Sequence, residues 1–93
     1  MFVTFFAHGS DITLNVNSDN LKVCLEMIGQ DFDYSGVIPI TQLRKTLIHL
    51  YMYNPLDIMQ DKDVELERIL FYYNELEKIL SFCIAHDTYL IWG

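Results

Sequence analysis

Basic side chains are scarce in this chain. Six lysines and arginines stand against thirteen acids in 93 residues, a net charge of −7. Nucleic-acid affinity rests largely on neutralised phosphates, so a chain without a basic stripe is not expected to bind DNA or RNA. An anionic membrane surface is disfavoured for the same reason. Glycine and proline are also few, four and two, and no Ser- or Gly-rich linker divides the chain. A single domain over residues 1–93 is therefore expected. Its core should be thin, since a domain of this size buries roughly 60–65% of its unfolded surface. No stretch approaches the roughly 20 apolar residues of a membrane span. Met1 to Ala7 is apolar, but it lacks a basic flank and stops at His8, too short for an export signal. Cysteine is limited to Cys24 and Cys83, each on or beside an apolar helical face. Both read as reduced core residues, and the expected compartment is the cytoplasm.

Apolar residues, by contrast, are plentiful: 52% of the chain is hydrophobic and 14% aromatic, which suits a folded protein. Phe2 to Phe6 reads as a strand with large apolar groups on both faces, better placed centrally than at an edge. Ala7 to Asp11 reads as a hairpin turn, and Ile12, Leu14 and Val16 then alternate with polar residues. Ser18 or Asp19 is placed to cap a helix with the stripe Leu21, Cys24, Leu25 and Ile28, closed by Gly29. Gly36 to Ile38 is a short extended piece. Thr41 is expected to cap a second helix with Leu43, Leu47, Leu50 and Tyr51 inward and Lys45 and His49 outward, ending at Asn54-Pro55. Asp61, Asp63, Glu65 and Glu67 suit the start of a third helix, where negative charge meets the helix dipole. Thr88 to Trp92 reads as a final strand beside the hairpin. The expected fold is α+β: an N-terminal β-hairpin, three helices and a C-terminal strand joining a small sheet, with helices packed on one face.

The third helix, Val64 to Ala85, carries two apolar stripes. Leu66, Ile69, Leu70, Tyr73, Leu76, Ile79, Leu80 and Cys83 form the main one, at three- and four-residue spacing. At about 100° per residue, Val64, Phe71 and Phe82 fall together on the opposite side. One layer of protein cannot bury both sides. A partner, either a second copy or another protein, is the reading that the large aromatics favour. A cover from the 30–40 loop or the Asn54–Gln60 segment is the alternative within the chain.

The order of motifs also resembles a bacterial family known only as a domain of unknown function, number eighteen-forty. Met1-Phe-Val-Thr-Phe5 and Asp11-Ile-Thr-Leu14 open the resemblance; Leu25-Glu-Met-Ile-Gly29, Gly36-Val-Ile38 and Thr41-Gln-Leu43 continue it. Leu76-Glu-Lys-Ile-Leu80 and Ile91-Trp-Gly93 close it, so it spans nearly the whole chain. Two features depart from that pattern: Ala7-His8-Gly9 stands where a basic, polar turn is usual, and the loop after Gly29 is acidic. The resemblance implies a small cytoplasmic bacterial protein and brings no activity or catalytic residue with it.

Candidates for chemistry are thin. Asp31, Asp33, Ser35 and Gly36 match positions 1, 3, 5 and 6 of a calcium-binding loop, but position 12 is Gln42, an amide where a bidentate carboxylate is needed. The plainer reading is a polar turn bonded to its own backbone. Asp57, Asp61, Asp63, Glu65 and Glu67 scatter around a helix rather than converge. Cys83 and His86 have the spacing of half a zinc site without a complementary pair elsewhere. His86-Asp87 are adjacent and poorly disposed to act as a base and its holder, and no nucleophile elbow or phosphate loop is present. The expected function is non-enzymatic and cofactor-free, through self-association as a homodimer or through binding another protein. The alternative is a small-molecule or metal-ion binding protein, with or without catalysis, centred on Asp31–Gly36 or on His86.

Overall fold

The computed structural model describes residues 1–53 and 66–93. The opening strand β1, Phe2–Ala7, alternates as its sequence demands, with Val3, Phe5 and Ala7 buried and Phe2 on the other face, exposed. Its partner β2, Thr13–Asn17, buries Leu14 and Val16 toward the same side. The hairpin register sets Phe2 opposite Asn17 and Phe6 opposite Thr13. Asn17, rather than Ser18 or Asp19, caps helix α1, Ser18–Met27: its side chain accepts a hydrogen bond from the Asp19 amide. The anticipated stripe Leu21, Cys24, Leu25 and Ile28 is fully buried, and Gly29 ends the helix at φ +70°.

The sheet continues with β3, Gly36–Ile38, and β4, Leu90–Trp92, in the order β2-β1-β4-β3 with every pairing antiparallel. β1 is thus central, as its two apolar faces suggest. β4 pairs on both sides, with Trp92 opposite Phe5 and Gly36, and Leu90 opposite Ala7 and Ile38. It is shorter than the expected Thr88–Trp92 because Asp87 adopts φ +49° at the end of the last helix, and the Thr88 amide bonds back to the Cys83 carbonyl.

Among the described residues there are two further helices, α2 (Leu43–Met52) and α3 (Leu66–Ala85). Thr41 does not cap α2. It lies in a 3₁₀ turn, Ile40–Gln42, whose tightening takes up the entry into the helix. α1 and α3 pack on the buried face of the sheet, and α2 lies against α3. The fold is a small α+β domain, with a four-stranded antiparallel sheet layered against helices.

The buried face of α3 is Ile69, Tyr72, Leu76, Ile79, Leu80 and Cys83. Leu70, assigned inward from the sequence, is exposed, and Tyr72 takes the inward place that periodicity gave to Tyr73. On the helical wheel the buried set centres between Leu76 and Cys83, which leaves Leu70 roughly 130° away. Tyr51 is also exposed rather than inward, and the Glu77 carboxylate beside it raises the pKa of its hydroxyl.

Candidate functional site

The acidic loop is a local turn, clamped from outside. Asp31, Asp33 and Ser35 are all exposed; an Asp33 carboxylate oxygen accepts from the Ser35 amide at 3.4 Å. The Asp33 carbonyl accepts the indole N–H of Trp92 at 3.0 Å. Gln42 stands at the start of α2. Among the described residues, no three or more His, Cys, Asp and Glu side chains gather where they could hold a metal ion. Asp57, Asp61, Asp63 and Glu65 lie outside the described residues.

Cys83 is buried, whereas His86 lies on the surface with its ring stacked on Phe82 at 4.1 Å. Burial pushes the Cys24 thiol up to about 12 and the Cys83 thiol up to about 11. Both are therefore neutral, and neither is poised as a nucleophile. In the unfolded chain a thiol ionises near pH ~8.5, so above that pH the folded state holds the extra protons. This contribution to stability is fully present below about pH 8.5 and is lost as pH rises toward 11 and 12. The urea midpoint should fall between pH 8 and pH 10, and a level midpoint would mean that the thiols are exposed.

The second α3 stripe is divided. Val64 lies outside the described residues. Phe71 is 53% exposed, its ring edge-on to Tyr72 at 5.8 Å. Phe82 is partly buried against the core and borders an open groove with Ile12 and Thr13 of the hairpin, under a rim of Asp11, Glu75, Lys78 and His86. The hairpin thus partly covers one end of the stripe and leaves Phe71 outside.

A second apolar surface lies on the outward face of the sheet. Phe6, Ile91 and Val37 occupy paired positions across β1, β4 and β3 and form one row; Phe2 continues it along β1. Phe2 is 67% and Val37 55% exposed, and Phe6 and Ile91 are half-buried. The other outward positions are Thr4, Asn15, Thr13 and Asn17, with the Thr4 hydroxyl donating to the Asn15 side chain at 2.7 Å. Among the described strand positions no Asp, Glu, Lys or Arg stands on this face, although one residue in five of the chain is charged, 20%. Comparison with protein families, with curated proteins and with solved structures finds no match to this chain. The geometry is therefore the guide to function.

Half of this face was visible in the sequence, as Phe2 and Phe6 on the far side of the first strand. Val37 and Ile91 were not, because each belongs to a three-residue strand whose outward side is defined only by its pairing. Among the described residues no helix is long and apolar enough to cross a membrane.

Proposed function

We propose that this protein acts by self-association in the cytoplasm, through a second copy that covers the outward face of the sheet, and that it belongs with the bacterial family it resembles. The carrying observation is the uncharged row Phe6, Ile91 and Val37, extended by Phe2. Depletion of charge together with exposed aromatics is the compositional signature of an interface core. A protein of net charge −7 repels its own copy, and the contact that costs least is one where neither copy presents a carboxylate. A basic partner would gain more from the acidic surfaces elsewhere. Four strands at about 4.8 Å spacing, with the longest about 20 Å, offer less than the roughly 800 Å² per partner of a standard interface. A weak dimer is the consequence, with a mass that rises with concentration.

The Phe71 side of α3 is a second reading, favoured by that ring's exposure. It would join Val64, Phe71 and Phe82 into a seam, with Glu75 and Lys78 bonded to each other at 3.1 Å along the helix. Two exposed-site variants separate the readings. In a two-fold contact each substitution acts twice, and an unpaired carboxylate buried there costs several kcal/mol. Light-scattering mass should rise with concentration in the wild type and stay monomeric in Val37→Glu, with Phe71→Glu like wild type and far-UV circular dichroism unchanged in all three. Dissociation by Phe71→Glu alone would move the interface to α3. A wild type monomeric at millimolar concentration would overturn self-association altogether.

A further inference from the structure

We propose that the cleft between the end of α1 and the first turns of α2 binds a small oxyanion, a carboxylate or a phosphate, through Lys45, His49, Gln30 and Gln42. The cleft holds about 230 Å³ and is lined by Gln30, Gln42, Lys45, Thr46 and His49 over a floor of Ile28 and Gly29. That volume suits an anion of a few heavy atoms, below the size of a typical drug-like ligand.

Charge favours this place over the rest of the molecule. From Tyr34 to Leu56 the sequence has no Asp or Glu, while Arg44, Lys45 and His49 fall within it. In a chain with thirteen acids this is a locally basic stretch, and neither Glu26 nor Asp31, the acids that flank Ile28–Gln30 in the chain, lines the cleft. Lys45 makes no ion pair among the described residues, so its ammonium is available.

The polar groups are also positioned. His49 is exposed, as its outward place on the wheel suggests, but its ring is held in place. Its ring packs on Gly29, where an added Cβ would fall 2.7 Å from the imidazole. Its Nδ1 lies 3.3 Å from the Met27 carbonyl, an acceptor only, so Nδ1 carries the proton. Nε2 is left for a ligand, which it meets as a donor once protonated. The carbonyl end of α1 would repel an anion, but the carbonyls of Leu25, Glu26 and Met27 are already engaged. The Gly29 amide bonds Glu26, the Gln30 amide bonds Leu25 at 2.9 Å, and His49 bonds Met27. The Thr46 hydroxyl donates to the Gln42 carbonyl at 2.9 Å, so the recognition falls to the two side-chain amides and the two bases.

Titration of ¹⁵N-labelled protein at constant ionic strength tests this, with sodium phosphate in one arm, sodium succinate in a second and sodium chloride as control. The expected result is saturable amide shifts confined to Gln30, Gln42, Lys45, His49 and their neighbours, and the arm that saturates first identifies the anion class. Lys45→Gln should weaken binding about tenfold, the usual scale for removing a charge-assisted bond. Gln42→Glu, which places a carboxylate in the cleft, should abolish it, with far-UV circular dichroism confirming that both variants fold. Equal shifts with chloride, no saturation by either anion, or an unchanged Kd in Lys45→Gln would each overturn the site.

Discussion

Deleting Tyr89 to Gly93 should unfold the protein rather than trim its sheet. β4 lies between β1 and β3, so its loss separates the two halves of the sheet and leaves β3 without its described partner. Leu90 and Trp92 leave the core with it, and Gly93 takes away two hydrogen bonds to Thr4, each 3.1 Å. Truncating one large buried aromatic costs about 3–5 kcal/mol, and a buried leucine about 2–5. Domains of this kind have about 5–15 kcal/mol in total. The truncated chain should therefore show no cooperative urea transition and a diminished far-UV signal. A cooperative transition at the wild-type midpoint would mean that β4 is not in the sheet.

Gly36→Ala should destabilise through Trp92, and the single tryptophan makes its own reporter. A Cβ at position 36 would lie 2.3 Å from the Trp92 ring. The indole has little room to retreat, since it is nearly parallel to the Phe5 ring at 6.0 Å and its N–H is bonded to the Asp33 carbonyl. Overpacking of this kind typically costs about 1–3 kcal/mol. Displacing the ring would add the loss of its hydrogen bond, about 1 kcal/mol. The midpoint should fall and tryptophan emission should shift to the red. Gly9→Ala is the control: Gly9 has φ +76° but open space around it, so it should lose stability through the backbone alone and leave emission unchanged. Equal emission changes in the two variants would refute the Trp92–Gly36 contact.

Much of the architecture was legible wherever burial is one-sided and local. Leu14 and Val16 declared their face by alternation, Leu21, Cys24, Leu25 and Ile28 by helical spacing, and Gly29 by the left-handed turn that it permits. The errors fall at element ends and flanks. Thr41 has the chemistry of a cap, yet a 3₁₀ turn displaces the helix start to Leu43. Leu70 and Tyr51 are apolar enough to be core, but the packing direction of α3 leaves Leu70 at the surface, and Tyr51 lies exposed beside Glu77. Neither the direction of a neighbouring layer nor a partner from another helix leaves a periodic trace.

The sequence by itself determined the α+β class and the apolar faces of β1 and α1, because these follow from periods of two and 3.6 residues. Tertiary structure alone decided three things: that Val37 and Ile91 extend the Phe6 row, that Trp92 closes over Gly36, and that His49 reaches the end of α1 to border a basic cleft. Each joins residues from segments distant in the chain. Such neighbours are chosen by strand register and by the packing of layers, which no local spacing encodes.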